Sequence, residues 1–324
     1  MKAIQIEKFG NPAEVMKLVD IPDVGAPGAG EVVIALEASP INMSDLMMIS
    51  GAYGHRPSLP CVVGTEGVGR VVAIGSGVTH LKPGDRTLVP YPSAAWAERI
   101  KADASRLRPL GGGDVNQLAM LGINPPTAYL LLTEYAKLQP GAWVIQNSAN
   151  SGVGRALIPI AKSMGLKTVN VVRRDDVVAE IKAIGGDVVL VDGPDLAKRV
   201  AAETGGARIA LAIDGVSDTA TANLLGCLAE KGMLVFYSAI TGKPFVGDAR
   251  ALIFRDISIR GFWLVHWFKT ATPDQITAMY DRLTPLVASG AISSPVAGTY
   301  KFSQIAEAVA VALKKRGKAL FVPG

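Results

Sequence analysis

The strongest constraint on the fold is the alternation of short apolar strands with helices over residues 143–237. The predicted strands are Trp143–Gln146, Thr168–Val172, Val188–Leu190, Ile209–Asp214 and Met233–Tyr237. Helical segments of about ten residues separate them, a length that crosses the face of a sheet between parallel strands. The pattern therefore predicts an α/β fold with a doubly wound parallel sheet of the Rossmann type.

The residues before this array have a different character. Val32–Leu36 and Val68–Ile74 are predicted strands, and few helical patterns accompany them in residues 1–118. We predict a β-rich domain there and a Rossmann domain over residues 119–264. Residues 265–324, which end in another strand pattern, are predicted to complete the β-rich domain.

Composition and charge bear on partners and compartment. The 324 residues carry a formal net charge of only +5, and their densest cationic run, at 314–316, ends a predicted helix, where positive charge suits the helix dipole. The two cysteines, Cys61 and Cys227, give no disulfide framework, and no apolar run is long enough to span a bilayer. We therefore expect no nucleic-acid partner and no membrane association. Because strand pattern begins within the first residues, a cytoplasmic location is expected.

A turn containing two glycines follows the first strand of the array. Such a turn lets the backbone approach a pyrophosphate, and the N-terminus of the next helix, predicted from Arg155, offers unpaired N–H groups. The third glycine of the dinucleotide fingerprint is replaced by Leu157, so the match is incomplete. The strand and helix around the turn still predict a dinucleotide site. Its predicted residues are Asn150, Ser151, Gly152, Val153 and Gly154.

Arg173 and Arg174 follow the next strand, with Asp175 beside them. An NAD site carries Asp or Glu at this place to bind the ribose 2′-hydroxyl. A guanidinium instead pairs with a 2′-phosphate bidentately, so the arginines predict NADPH. Two solvated arginines at a helix start are the alternative, although cations are disfavoured at that end of a helix.

The whole chain resembles the medium-chain dehydrogenase/reductase superfamily. The resemblance rests on Gly64–Gly69 and Lys82–Arg86 together with the glycine turn. It implies that the β-rich domain is catalytic and GroES-like. Zinc-dependent members have histidine where Thr65 stands, and they carry a four-cysteine lobe. This chain has neither, and its three histidines lack ligand spacing, so we expect no metal site.

Narrower similarity is to the 2-enoyl thioester reductases, including the mitochondrial enoyl-CoA reductases. The segments that carry it are Gly51–Gly54 with Leu59-Pro60, Asn124–Tyr129, Gln146–Gly154, Asn170–Arg173, and Leu252–Ile257 continuing as Arg260–Leu264. The resemblance implies NADPH-dependent reduction of trans-2-enoyl thioesters of CoA or acyl-carrier protein, in fatty acid metabolism. Hydride goes to the β-carbon and a proton to the α-carbon. It further implies a homodimer.

Site residues follow from the same resemblance. Tyr53 is implied as the acid that protonates the α-carbon. The implied cofactor contacts are Asn124, Tyr237, Ser238, Ala239, Ile240, Phe262, Trp263, Leu264 and Lys318. Ser238-Ala239 replaces the two glycines usual in the family and adds bulk beside the cofactor.

Several alternatives stay open at this point. The same motifs suit an NADPH:quinone reductase of the superfamily, or a catalytically weak NADPH-binding protein with a structural or sensing role. Phe262 and Trp263 could pack in a core instead of lining a ligand cleft. Tyr53 could anchor a surface loop.

Overall fold

The computed structural model describes residues 1–91 and 93–324, which separate into two compact units. The first unit comprises Met1–Ile123 and Val287–Gly324, and the second comprises Asn124–Leu286. Over the described ranges, no helix combines the length and apolarity needed to cross a membrane.

The strands run in chain order. They are β1 Lys2–Ile6, β2 Lys17–Asp20, β3 Glu31–Pro40, β4 Cys61–Val62, β5 Val68–Ile74, β6 Arg86–Leu88, β7 Arg99–Asp103, β8 Trp143–Gln146, β9 Lys167–Val172, β10 Val188–Val191, β11 Ile209–Asp214, β12 Met233–Phe236, β13 Ser258–Gly261, β14 Val296–Lys301 and β15 Lys318–Val322.

The helices alternate with the strands most regularly in the second unit. The helices of both units are, in chain order, α1 Pro12–Val15, α2 Met43–Ser50, α3 Val115–Ala119, α4 Asn124–Thr133, α5 Gly152–Ser163, α6 Val178–Ala183, α7 Leu196–Thr204, α8 Thr219–Cys227, α9 Ala249–Phe254, α10 Leu264–Thr270, α11 Pro273–Ala288 and α12 Ile305–Leu313. Short 3₁₀ turns form at Ala104–Arg106 and Asp175–Val177.

The second unit is built on a six-stranded parallel sheet in the order β10-β9-β8-β11-β12-β13. The chain starts at β8, moves outward through β9 and β10, and then returns to the other side of β8 at β11. This is the strand order of a Rossmann sheet. Ile145, Val169 and Ala212 are fully buried at its centre. The predicted doubly wound sheet is thereby confirmed.

Helix α5 begins at Gly152, earlier than the predicted start at Arg155. Ser151 precedes it in extended conformation, and the Ser151 hydroxyl accepts the Gly154 N–H at 3.1 Å, which caps the helix. Leu157, at the third position of the glycine fingerprint, is fully buried in the unit. The fold therefore accommodates a large apolar side chain where the usual fingerprint has glycine.

The first unit is β-rich. Its larger sheet has the order β14-β15-β3-β5-β6, with β7 also paired to β3, and its smaller sheet has the order β2-β1-β4. Strand β15 from the end of the chain pairs antiparallel with β3, with Phe321 opposite Ser39. The rings of Trp96 and Phe321 meet edge to face at 5.0 Å in the core. Residues distant in sequence thus share one sheet and one core.

Candidate functional site

The carboxyl ends of β8, β11 and β12 lie side by side in the parallel sheet of the second unit. The strand order reverses between β8 and β11, the place where sheets of this type bind dinucleotides. Most of the predicted cofactor residues follow strands at this edge. Asn150–Gly154 follow β8, Arg173–Asp175 follow β9, Tyr237–Ile240 follow β12 and Phe262–Leu264 follow β13.

The turn after β8 is tightly folded. A Cβ on Gly154 would lie 2.6 Å from the Ser148 carbonyl oxygen and 2.7 Å from Ala149 Cα, so only glycine fits there. A Cβ on Gly152 would lie 3.0 Å from Asn124 Cγ, which places the Asn124 side chain beside the turn. The N-terminus of α5 thereby keeps the open backbone that a pyrophosphate site requires.

A buried carboxylate that the sequence analysis missed organises the neighbouring loop. Asp214 is the last residue of β11 and is fully buried. Its Oδ1 accepts Asn147 Nδ2–H at 2.7 Å and the Val216 N–H at 2.8 Å. Its Oδ2 accepts the Thr221 hydroxyl at 2.7 Å. An acidic residue closing the otherwise apolar strand Ile209–Asp214 was the available sequence signal.

Tyr237 joins the loop after β12 to the glycine turn. Its hydroxyl lies 3.2 Å from Ser151 Oγ, and its backbone N–H donates to the Asp214 carbonyl at 3.1 Å. Burial raises the pKa of Tyr237, while hydrogen bonds with Ser151 and Ser148 act in the opposite direction. The phenol is therefore protonated at neutral pH and can donate a hydrogen bond.

Arg173 and Arg174 are both exposed at the end of β9. Arg174 Nε lies 3.0 Å from Asp176 Oδ1, and both side chains of this pair are about half exposed or more. Arg173 and Arg174 fit the 2′-phosphate of NADPH in charge and accessibility. Exposure is also what solvated arginines would show, so their role in cofactor choice stays a prediction.

The remaining predicted cofactor residues of the second unit differ in exposure. Ser238, Ala239 and Ile240 are exposed. Phe262 and Trp263 are partly buried, so neither is a fully enclosed core residue. Leu264, by contrast, is buried, which leaves mainly its backbone for a ligand contact.

Tyr53 lies in the first unit, in the loop that follows α2, and is partly buried. Tyr91, which the sequence analysis did not single out, is close to it. Burial raises the pKa of Tyr91, and the nearby Tyr53, Asp45 and Glu66 raise it further because each disfavours a phenolate. Two phenols therefore share one region of the β-rich unit.

Thr65, at the position of the histidine ligand of zinc-dependent relatives, donates its hydroxyl to Asp45 Oδ1 at 2.6 Å. Lys318, implied as a cofactor contact, belongs to the first unit, and its ammonium group donates to Asn42 Oδ1. Burial lowers the pKa of Lys318, whereas Glu66 and Asp45 raise it. In the part of the chain that the structure describes, no group of three or more His, Cys, Asp or Glu side chains is arranged to hold a metal.

Two family models match consecutive parts of the chain. The alcohol dehydrogenase GroES-like domain matches residues 28–151, and the zinc-binding dehydrogenase model matches residues 152–283. The chain is 36% identical to the mitochondrial enoyl-[acyl-carrier-protein] reductase of Homo sapiens over 97% of this chain and 86% of that protein.

Similar solved structures carry the names of two kinds of reductase. The mitochondrial 2-enoyl thioester reductase heterodimer from Candida tropicalis matches with a TM-score of 0.88 and 25% identity, over 99% of each chain. A protein from Bacillus thuringiensis named as an NADPH:quinone reductase matches with a TM-score of 0.89 and 27% identity, over 100% of this chain and 99% of that one.

The prediction of a cytoplasmic location is wrong. The curated relatives from human, rat and nematode are all named as mitochondrial proteins. The prediction depended on the absence of a leader pattern before the first strand, and that absence carries no information about the compartment.

The fold, the glycine turn and the sequence matches agree on the family. The chain belongs to the medium-chain dehydrogenase/reductase superfamily and, within it, to the enoyl thioester reductases, which are NADPH-dependent oxidoreductases.

Proposed function

We propose that this protein reduces the carbon–carbon double bond of trans-2-enoyl thioesters, with NADPH as the reductant. The observation that carries the proposal is the likeness, over nearly the whole chain, to a curated enoyl-[acyl-carrier-protein] reductase. The geometry of the second unit supports the cofactor, and a tyrosine in the first unit supports the proton transfer.

The cofactor fits the residues at the carboxyl edge of the parallel sheet. The N–H groups at the start of α5 would face the pyrophosphate, where the close packing of Gly154 keeps the backbone accessible. Arg173 and Arg174 would pair with the 2′-phosphate. The implied contacts in the loops after β12 and β13 would hold the rest of the molecule. When bound, NADPH supplies the hydride that the β-carbon receives.

In the proposed reaction, the protein's own residues contribute the proton transfer. Addition of hydride to the β-carbon leaves an enolate on the thioester, and this enolate must take a proton at the α-carbon. Tyr53 would donate that proton, because a phenol, with an ordinary pKa of about 10, is protonated at neutral pH. In this assignment the first unit supplies the acid, and the glycine turn that binds the cofactor belongs to the second unit.

The second unit also supports assembly as a homodimer. Ile253 and Phe254 on α9 are 69% and 77% exposed, and Leu252 beside them is 40% exposed. Strand β13 lies at the edge of the sheet. Exposed apolar side chains together with an edge strand are typical of an association surface. Light scattering on the purified protein tests this proposal, and a monomer mass at micromolar concentration would contradict it.

Turnover with two classes of acceptor tests the proposed activity. The purified protein is mixed with NADPH and either crotonyl-CoA or a naphthoquinone, and oxidation of NADPH is followed by absorbance. We expect rapid oxidation with the enoyl thioester and formation of the saturated product. Oxidation with the quinone alone would assign the protein to the quinone reductases. Tight NADPH binding without turnover would assign it a binding role.

A further inference from the structure

The β-rich unit contains a buried group of polar side chains around the start of α2. Asn42, Asp45 and Glu66 are 4%, 0% and 1% exposed. They come from the residue before α2, from its first turn and from the loop before β5. Lys318, at the start of β15, completes the group. Such a costly set of buried polar groups needs an explanation beyond packing.

Asn42 is the centre of this group. Its Nδ2 donates to Glu66 Oε1 at 2.6 Å, and its Oδ1 accepts from the ammonium group of Lys318. Its backbone N–H donates to Asp45 Oδ2 at 2.7 Å, and Asp45 Oδ1 accepts the Thr65 hydroxyl at 2.6 Å. The side-chain amide of Asn42 is thus held on both sides, by an acceptor and by a donor.

This fixed end of α2 bears directly on Tyr53. The helix is only eight residues long and ends at Gly51, which has φ of 78°, a left-handed conformation that glycine adopts without strain. Tyr53 stands two residues after Gly51. The Asn42 carbonyl accepts backbone N–H groups of the first turn of α2, and the Ala52 N–H donates back to the Met47 carbonyl at 2.8 Å. A shift at the start of α2 is therefore expected to reach the loop with Tyr53.

Electrostatic interactions place two members of this buried polar group, Asp45 and Glu66, near the phenol of Tyr91. Tyr91 lies close enough to Tyr53, Asp45 and Glu66 for each to disfavour its ionisation. Burial raises the pKa of Glu66 to about 7, while Lys318 and hydrogen bonds with Asn42 and the Ile123 backbone act in the opposite direction. The polar group therefore adjoins Tyr91, which in turn lies near Tyr53, as well as anchoring the helix.

We propose that Asn42, held between Glu66 and Lys318, is a positioning residue that fixes where Tyr53 presents its hydroxyl. The functional part of this inference rests on the proposed enoyl reduction with Tyr53 as the acid. Asn42 touches neither hydride nor substrate in this scheme. It acts through α2, and loss of its two side-chain hydrogen bonds misplaces the phenol without altering the cofactor turn of the second unit.

The variant Asn42→Ser tests the inference. Serine is also a favoured residue before a helix, so α2 keeps a suitable start, but its side chain is too short to bridge Glu66 and Lys318. Asn11→Ser is the matched control, because Asn11 caps α1 in the same unit and is exposed. Misplacement of a catalytic group by about 1 Å costs on the order of 100-fold in rate. We therefore expect kcat for crotonyl-CoA to fall about 10- to 100-fold in Asn42→Ser and to stay unchanged in Asn11→Ser.

A stereochemical readout separates positioning from general damage. In D₂O the unaltered protein is expected to place deuterium on one face of the α-carbon, because Tyr53 approaches from one side. Asn42→Ser is expected to give a mixture of both configurations, and Asn11→Ser a single one. Glu66→Gln keeps an oxygen acceptor for Asn42 and is expected to keep stereospecificity, whereas Glu66→Ala is expected to lose it. Unchanged stereochemistry and kcat in Asn42→Ser would overturn the inference.

A spectroscopic readout does not depend on activity. The protein is labelled with 3-fluorotyrosine, and Tyr53→Phe identifies the Tyr53 signal among those of the seven tyrosines in the ¹⁹F spectrum. We expect this signal to shift or broaden in Asn42→Ser and to stay in place in Asn11→Ser. A stationary Tyr53 signal overturns the positioning role. Failure of the unaltered protein to reduce crotonyl-CoA instead contradicts the proposed function, and the ¹⁹F comparison still decides the inference.

Discussion

The hydroxyl of Tyr237 lies 3.2 Å from the hydroxyl of Ser151, and this contact ties the loop after β12 to the glycine turn after β8. Ser151 Oγ also accepts the N–H of Gly154, the residue that the turn packs most tightly. One phenol therefore supports the serine that caps α5, at the helix end proposed to receive the pyrophosphate. The shape of the cofactor turn depends on a residue far along the chain.

The variant Tyr237→Phe is expected to weaken NADPH binding while preserving the fold. The ring stays, and the hydrogen bonds of its hydroxyl with Ser151 and Ser148 are lost. A hydrogen bond contributes a net ~0.5–1.5 kcal/mol, which corresponds to about a two- to tenfold rise in the Kd for NADPH. Fluorescence titration measures the Kd, with Tyr300→Phe in the first unit as control. Equal Kd values for the two variants would show that the contact does not shape the site.

The variant Gly154→Ala is expected to disturb the turn itself. The added Cβ would lie 2.6 Å from the Ser148 carbonyl oxygen, and the contacting atoms are backbone, so they cannot move aside cheaply. Overpacking of this kind lowers the free energy of unfolding by roughly 1–3 kcal/mol. Urea denaturation measures the loss. Gly111→Ala is the control, since a Cβ there meets nothing within 4 Å; similar stability of both variants would contradict the prediction.

Removal of the arginines after β9 is expected to shift cofactor preference toward NADH. Loss of a charged hydrogen-bonded contact costs about 1.5–3 kcal/mol, or roughly 10- to 100-fold in kcat/KM for NADPH, with NADH little changed. The effect should be larger for Arg173→Ser than for Arg174→Ser, because the 2′-phosphate must compete with Asp176 for Arg174. Steady-state kinetics with both cofactors measures the ratio. An unaltered NADPH to NADH ratio in the double variant would identify Arg173 and Arg174 as solvated surface residues.

The sequence was sufficient for the parallel sheet and the glycine turn because both are local patterns. Strand β5, Val68–Ile74, has the predicted bounds, and the turn at Ser151–Gly154 lies between a strand and a helix as expected. Asp214 and Asn42 were not found. Their importance comes from partners distant in the sequence, such as Asn147 for Asp214 and Lys318 for Asn42, and periodicity does not report such pairs.

The variant Tyr53→Phe is expected to separate chemistry from cofactor binding. Loss of a general acid typically lowers kcat by about 10²- to 10⁴-fold, while the Kd for NADPH should not change, since Tyr53 is not among the implied cofactor contacts. Stopped-flow turnover with crotonyl-CoA and a fluorescence titration measure the two quantities. Tyr300→Phe again serves as control. Unchanged turnover in Tyr53→Phe would remove this residue from the mechanism.

Stability is expected to decrease with rising pH because of the buried carboxyl groups. Burial raises the pKa of Glu66 from 4.5 to about 7 and that of Asp45 from 3.8 to about 6. Between the ordinary and the raised pKa, the folded protein holds protons that the unfolded chain has released. The free energy of unfolding therefore falls as the pH rises through this range. Lys318, whose pKa is lowered by burial, has the opposite effect, since the unfolded chain holds its proton up to 10.5.

The variant Glu66→Gln isolates the contribution of Glu66, because glutamine has similar size and does not titrate. Urea denaturation at pH values between about 4.5 and about 7 should give a shallower decline in the free energy of unfolding for this variant than for the unaltered protein. Asp45 accounts for the part of the decline that remains. The exposed Glu203→Gln is the control and should reproduce the unaltered slope. If Glu66→Gln gives that same slope, Glu66 does not retain its proton in the fold, and the buried group carries one more negative charge at neutral pH.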